Sequence, residues 1–361
     1  MTSCLLPALA RRALRVAPLL LAGVFGSATA AVPEVLADCH GIAEATQRLA
    51  CYDRLTGRDT RDTMPPDAAA RRAPDAAMNE QVAHARSTSP SPAAAKPSMI
   101  ETAWGFDPDS PRYDIRFYNP NYLLVGRYTD NVNKAPFEAL AAATGEDLDL
   151  NKTEAKFQLS FKARLYTTDD RRFGVWAAYT QQSQWQVYNG NLSRPFRETN
   201  YMPELFVSYG PKLDLGAGFR WSVLNAGYNH QSNGRTDSLS RSWDRLYAEA
   251  GIENGNLALF GKLWWRIPEK DEEDDNPDIT DYYGHGSISA LYRWKGNSFL
   301  ATARGNVSTG KGAFEFGWTS PPILGPLRGY VQVFTGYGES LIDYNWKQTT
   351  IGAGVALSDG L

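Results

Sequence analysis

The segment YNHQSNGR, positions 228 to 235, holds two side chains whose types and spacing suit ester hydrolysis. His230 and Ser232 lie two residues apart at the end of an alternating segment that predicts a β-strand. Residues two apart on a strand project to the same face with Cα atoms about 6.5 Å apart, so an imidazole nitrogen can reach the serine oxygen. A serine nucleophile needs such a base to take its proton. By itself the pair is weak evidence, because a histidine and a serine at a strand end are more often solvated than catalytic.

Asp244, on the next predicted strand, offers a third group. It shares even parity with Leu246, as His230 and Ser232 do with Tyr228, so all three polar side chains are expected on one outward, otherwise apolar face. A carboxylate on the neighbouring antiparallel strand can hold the second imidazole nitrogen, which completes the arrangement of a hydrolase triad. Polar groups without partners are costly on an apolar face, and this favours a functional role. The opposite, inward face is expected to carry Asn229, Gln231, Arg245 and Glu249.

The strands that position these residues extend over the whole second part of the chain. Period-two alternation, as in KFQLSFKARLY (156–166), recurs in about a dozen segments separated by Gly, Asn, Asp and Pro. No later segment approaches the roughly 20 apolar residues of a spanning helix. The pattern predicts an all-β fold, an antiparallel transmembrane β-barrel of about 12 strands. A secreted β-sandwich or soluble barrel, with its apolar face inward, is the alternative, and aromatic residues at strand ends such as Trp176, Trp265 and Trp294 favour the membrane barrel. A site on its outer wall would meet only molecules in the membrane plane, which points to a lipid ester.

The N-terminal part predicts export. Residues 1–30 combine basic residues, an apolar run and Ala28-Thr29-Ala30, the order of a signal peptide. Residues 31–56 form a short segment in which Cys39 and Cys51 are expected to form a disulfide. A zinc site that includes His40 is the weaker alternative, because a fourth ligand is missing. Residues 57–98, rich in Ala, Pro and Arg, predict a flexible disordered linker, and residues 99–361 the barrel.

Charge argues against one class of partner. The formal net charge is −3 and no basic stripe is present, so no nucleic-acid partner is expected.

Several long blocks resemble the outer membrane phospholipase A family, from roughly Tyr122 to the end of the chain. They are FRETNY (196–201), YNHQSNGR (228–235), SRSW (240–243), RLY (245–247), DDNPDIT (274–280) and GYGESLIDYN (336–345). The resemblance implies a twelve-stranded barrel in the lipopolysaccharide-containing bacterial outer membrane. The N-terminal extension is expected in the periplasm. The resemblance also implies calcium-dependent hydrolysis of membrane phospholipids at either acyl ester, as phospholipase A1 and A2 with lysophospholipase activity, in a homodimer.

The family roles carry over to individual positions of this chain. Ser232 matches the nucleophile, His230 the proton acceptor, and the Gly234 amide part of the oxyanion hole. The third family member is usually asparagine, and Asp244 departs from that pattern. An aspartate keeps the role of the third group, and it is expected to give a more alkaline pH optimum than an Asp244→Asn variant.

The resemblance also assigns a metal site and an interface. One Ca²⁺ per monomer, completed in the dimer, is expected at the Ser193 and Arg235 carbonyls, the Ser240 side chain and Asp275, with Asp237 close by. Gln181 matches a glutamine at the family's dimer interface. Two features depart from the family, the Cys39–Cys51 extension and a chain ending in Leu361 instead of an aromatic residue. A passive outer membrane porin or structural barrel with an inactive site is the alternative function.

Overall fold

The structure is a computed structural model that describes Cys39 and residues 41–55, 98–145, 149–190, 196–270, 272 and 274–361. It divides into two units, the first ending at Ala93 and the second beginning at Ala94. The expected signal peptide, His40 and residues 57–97 of the expected linker lie outside the described residues. In the first unit, helix α1 spans Ala45–Leu55. Cys39 and Cys51 form a disulfide with Cα atoms 5.7 Å apart, which confirms the predicted pairing.

The second unit is built mainly from strands. In chain order its elements are α2 (Met99–Trp104), β1 (Ile115–Phe117), β2 (Asn121–Thr129), α3 (Ala135–Thr144), β3 (Thr153–Thr167), β4 (Phe173–Trp185), β5 (Phe196–Tyr209), β6 (Leu213–Gly216), β7 (Phe219–Ser232), a 3₁₀ helix (Asp237–Leu239), β8 (Ser242–Asn254), β9 (Leu257–Ile267), α4 (Ile279–Tyr283), β10 (Gly286–Trp294), β11 (Asn297–Asn306), β12 (Lys311–Leu324), β13 (Leu327–Tyr337) and β14 (Lys347–Ser358).

Twelve of these strands, β2 to β5 and β7 to β14, form a closed antiparallel barrel. The ring closes where β14 pairs with β2, for example Ile351 with Tyr128. The short strands β1 and β6 only extend β3 and β7. The prediction of an antiparallel β-barrel of about 12 strands is confirmed. No helix in the described ranges is long and apolar enough to cross a membrane.

Exposure alternates along the strands as the sequence predicts. On β7 the Tyr228 side chain is 39% exposed, while its neighbour Asn229 is 4% exposed. The outward face is rich in exposed aliphatic and aromatic side chains, and the inward face is rich in buried polar ones. This polarity is that of a transmembrane barrel. It contradicts the β-sandwich alternative, in which the apolar face would point inward.

Ion pairs fill one end of the lumen. This end carries the connections after β2, β7, β9 and β13. There Arg127 and Arg197 both contact Glu154, at 2.7 and 2.9 Å, and Lys156 contacts Glu339 at 3.0 Å. Arg197 also pairs with Asp343 at 2.9 Å, so the connection after β13 is fixed inside the wall.

A cavity of about 390 Å³ occupies the lumen. Its lining includes the four side chains that alternation predicts on the inward face of β7 and β8, namely Asn229, Gln231, Arg245 and Glu249. At the other end, Trp104 of α2 is buried in the aromatic core of the barrel.

Candidate functional site

His230 and Asp244 are partners across the β7–β8 pair. The two residues stand opposite each other in the antiparallel register, so their side chains share the outward face. The His230 Nδ1 lies 2.8 Å from the Asp244 Oδ1. Both side chains are partly buried, with exposed fractions of 37% and 29%. The contact predicted from parity is present, and it leaves Nε2 as the imidazole nitrogen open to another partner.

Ser232 ends β7 on the same face. It pairs with Ser242 of β8 on one side and with Tyr201 of β5 on the other. Tyr201 in turn pairs with Gln181 of β4, so one row across four strands contains the expected nucleophile and the expected interface glutamine. Among the described residues nothing, His230 included, forms a hydrogen bond with the Ser232 hydroxyl, so the expected contact between the imidazole and the serine is not made here, and no other group occupies the hydroxyl.

Gly234 begins the loop after β7 in a conformation that requires glycine. Its φ is +63°, in the left-handed region, and a Cβ there would lie 3.1 Å from Tyr201 Cε2. Its backbone amide donates no hydrogen bond to any described residue. The amide is therefore available as a donor two residues beyond Ser232, where the sequence expects part of an oxyanion hole.

Asn233, which the sequence did not single out, holds the loop 233–241 closed. Its amide donates to the Arg241 carbonyl and its Oδ1 accepts from the Arg241 amide, both at 3.0 Å. Its Nδ2 donates to the Leu239 carbonyl at 2.8 Å. These contacts hold the part of the loop that contains Arg235 close to the part that contains Ser240. An asparagine after a strand is a turn signal, but its burial and its contacts depend on the folded loop.

Asn276, also not singled out, ties the acidic loop after β9 to the same region. Its Oδ1 accepts from the Ser242 amide at 3.0 Å. Asp274 accepts from the Asn276 amide at 3.1 Å and from Arg266 at 2.6 Å. The neighbouring Asp275 is exposed. The structure thus ties the residue after Asp275 to the first residue of β8.

The expected calcium residues lie in these loops as far as they are described. Ser193 lies outside the described residues, and of Asp237 only the backbone, in the 3₁₀ helix, is described. Within the described ranges, no hydrogen bond uses the Arg235 carbonyl or the Ser240 hydroxyl. No group of three or more His, Cys, Asp or Glu among the described residues could hold a metal ion.

The donor set nevertheless fits calcium. It consists of a carbonyl, a hydroxyl and a carboxylate, the hard oxygen ligands that calcium prefers and completes with water. The loop after β9 carries further acidic side chains, and burial and then the negative charge of Asp274 raise the pKa of Glu269 there. Arg266 offsets part of this negative charge.

Gln181 is a polar residue on the outward face of β4. Its Oε1 accepts from the Tyr179 hydroxyl at 3.0 Å, and its Nε2 donates to Ser183 at 3.3 Å. Its register partner on β3 is the exposed Leu159. The outward position agrees with the parity argument, and the role at an interface stays a prediction.

Comparison with known proteins identifies similar chains. The family model described as phospholipase A1 matches residues 104–357. A chain from Neisseria meningitidis serogroup B, whose phospholipase A1 name is provisional, is 36% identical over 94% of this chain and 95% of its own length. The phospholipase A1 of Escherichia coli K12 is 42% identical over 67% of this chain and 81% of its own. A solved outer membrane phospholipase dimer from Salmonella typhi, with bound calcium, is 38% identical with a TM-score of 0.64. It covers 73% of this chain and 98% of that one.

Proposed function

Because the chain belongs to the phospholipase A1 family, we propose that it hydrolyses the acyl esters of membrane phospholipids with Ser232, His230 and Asp244. The observation that carries the proposal is the His230–Asp244 contact of 2.8 Å beside Ser232 on the outward face of the barrel. A site on this face meets molecules in the membrane plane, and phospholipids are the esters found there. The relatives named for phospholipase A1 support the same reaction.

The side chains divide the reaction between them. His230 Nε2 takes the proton of Ser232 as its oxygen attacks the ester carbonyl, and Asp244 holds the Nδ1–H and stabilises the imidazolium. The Gly234 amide donates to the oxyanion of the tetrahedral intermediate. His230 then gives the proton to the departing glycerol oxygen, which releases a lysophospholipid. In the second half, His230 takes a proton from water as the water oxygen attacks the acyl-serine, and it gives that proton to the departing Ser232 oxygen, which releases the fatty acid and restores the serine.

Calcium is the proposed cofactor, one ion per monomer and completed in the dimer. The Arg235 and Ser193 carbonyls, the Ser240 hydroxyl and Asp275 would hold it, with Asp237 close by. When bound, the ion supplies positive charge that polarises the ester carbonyl. The Salmonella typhi relative, a dimer with bound calcium, supports this assignment.

A homodimer suits a site on an outer wall. Two outward faces in contact would enclose an acyl chain between them, and the row from Gln181 to Ser232 would lie at that contact. We place the enzyme in the outer membrane among lipopolysaccharide, with its N-terminal extension in the periplasm. We further propose phospholipase A1, phospholipase A2 and lysophospholipase activity, because a lipid can enter an open wall in more than one orientation.

The second candidate function is a passive porin or structural barrel with an inactive site, which the lumen cavity favours. Fatty-acid release from phospholipid–detergent micelles separates the two. We expect the wild type to be active with calcium and silent with a chelator, and Ser232→Ala to be inactive. Ser287→Ala, a serine whose side chain lines the lumen cavity, is the matched control and should keep wild-type activity. A wild-type protein that releases no fatty acid with calcium would favour the passive barrel.

A further inference from the structure

Asp244 accepts a second hydrogen bond that the proposed reaction does not use. Tyr228 lies two residues before His230 on β7, on the same outward face. Its hydroxyl donates to Asp244 Oδ1 at 2.5 Å, and His230 Nδ1 contacts the same oxygen at 2.8 Å. One carboxylate oxygen on β8 is therefore shared by two side chains of the adjacent strand.

The surroundings of Asp244 explain why a second donor matters. A carboxylate on a wall that faces lipid is costly unless it is paired and hydrogen-bonded. The register partner on β9 is Ile267, which offers no side-chain donor. The carboxylate of Glu269, in the loop after β9, also interacts with Asp244, and its negative charge repels it. Among the described residues, the titratable groups seen to interact with this carboxylate are Tyr228 and His230 from β7, which hydrogen-bond to it, and Glu269 from the β9 side, which does not.

We propose that Tyr228 is a positioning residue of this site, which holds the Asp244 carboxylate turned toward His230. Its hydroxyl and the imidazole fix the carboxylate oxygen between them, and this holds His230 with Nε2 toward Ser232. Tyr228 touches neither the ester nor the reacting atoms. The inference rests on the proposed function and deepens it.

The contribution of the Tyr228 hydroxyl is expected to depend on an aspartate at position 244. Hydrogen bonds to an ionised acceptor are roughly twice as strong as those to a neutral one. With asparagine at position 244, the usual residue of the family, Tyr228 would face a neutral amide oxygen and contribute less. The tyrosine hydroxyl therefore offsets part of the cost of aspartate at this lipid-facing position.

The first test is Tyr228→Phe, which removes the hydroxyl and keeps the ring. We expect kcat for fatty-acid release at neutral pH to fall about tenfold with KM little changed, because the imidazole is held less well. We also expect the acid limb of the pH–rate profile to move to higher pH. Once the hydroxyl is removed, the carboxylate stabilises the imidazolium more strongly, so the neutral base forms at higher pH.

Two comparisons separate a positioning role of the Tyr228 hydroxyl from a general effect of removing a hydroxyl from the outward face of the barrel. Tyr292 lies on the outward face of β10 at 44% exposure, and its hydroxyl bonds to none of the described residues, so Tyr292→Phe should behave as wild type. In an Asp244→Asn background, Tyr228→Phe should cost no more than about twofold and leave the acid limb in place. Circular dichroism establishes that each variant is folded.

Each outcome decides a separate point. The proposal is overturned if Tyr228→Phe matches Tyr292→Phe while Ser232→Ala is inactive, and the proposed function then stands. It is also overturned if the tenfold loss persists in the Asp244→Asn background with an unmoved acid limb, because the hydroxyl would then be merely structural. If Ser232→Ala keeps its activity, the proposed function fails and this inference fails with it.

Discussion

The side chain of Asn276 accepts a hydrogen bond from the Ser242 backbone amide at 3.0 Å and so joins the loop after β9 to the first residue of β8. Asn276 is fully buried, whereas the adjacent Asp275 is exposed. The bond holds the chain next to Asp275 against Ser242, which directly follows the loop 233–241. In the proposed calcium site, the position of Asp275 therefore depends on a residue that is not itself a proposed ligand.

Asn276→Ala is expected to weaken calcium binding more than catalysis. Loss of a residue that orients a metal ligand commonly costs about 10- to 100-fold in metal affinity. We expect the calcium concentration for half-maximal fatty-acid release to rise about tenfold, with the rate at saturating calcium near that of the wild type. Asn256→Ala, in the exposed turn between β8 and β9, is the control. An unchanged calcium titration for Asn276→Ala would contradict this account of the loop.

Asp244→Asn tests the charge beside His230. The amide can still accept a hydrogen bond from His230 Nδ1, so activity at neutral pH should stay within about tenfold of the wild type. The negative charge that favours the imidazolium is lost, so the acid limb of the pH–rate profile should move to lower pH. Asp244→Ala removes the acceptor as well and should be less active than Asp244→Asn at every pH. Superimposable profiles for the wild type and Asp244→Asn would show that the carboxylate carries no charge in the working enzyme.

The faces of the strands could be predicted because alternation leaves little freedom. In a closed sheet, a shift of one residue would turn every side chain to the wrong face, so the apolar pattern of β7 and β8 sets which residues point outward. Only nine residues separate β7 from β8, so the two strands were expected to pair, and parity then put His230 and Asp244 on one face. The outward position of these residues thus follows from local sequence.

The polar contacts around the site could not be predicted in the same way. Asn233 and Asn276 act through the conformation of loops, for which the sequence has no periodic signal. Alternation predicts only that Tyr228 faces outward. Its bond to Asp244 depends on the length and rotamer of both side chains, which the sequence does not specify. Lys156 is a buried residue of β3, yet its partner Glu339 lies 183 residues further along the chain. Such contacts follow from the closed barrel and not from neighbouring sequence.

Gln181 and Gln182 are adjacent residues on opposite faces of β4. Gln181 is on the outward face, and Gln182 lines the lumen cavity. We expect Gln181→Ala to lower the dimer fraction measured by chemical cross-linking in detergent with calcium, and activity to fall with it. Gln182→Ala should leave both unchanged. Equal dimer fractions for the two variants would exclude Gln181 from the interface.

Glu339 is expected to make the stability of the barrel sensitive to acid. Burial alone would raise the pKa of Glu339, but the charges of Arg127 and Lys156 outweigh burial and lower it below the ordinary value of 4.5. A carboxylate with a lowered pKa contributes stability that is complete above pH 4.5 and is lost as the pH falls toward the folded-state pKa. The wild type should therefore lose free energy of unfolding steadily below that pH.

Glu339→Gln removes the charge but keeps the shape of the side chain. At neutral pH it leaves Arg127 and Lys156 with one buried counterion fewer, which should lower the free energy of unfolding by about 3–5 kcal/mol. Between about pH 5 and pH 3 its further loss should be smaller than that of the wild type, because the group that titrates is gone. Urea unfolding in detergent, followed by tryptophan fluorescence across this pH range, measures both effects. Glu138→Gln, at an exposed position of α3, is the control, and it should follow the wild-type curve. Parallel curves for the wild type and Glu339→Gln would mean that this carboxylate is not the acid-sensitive group.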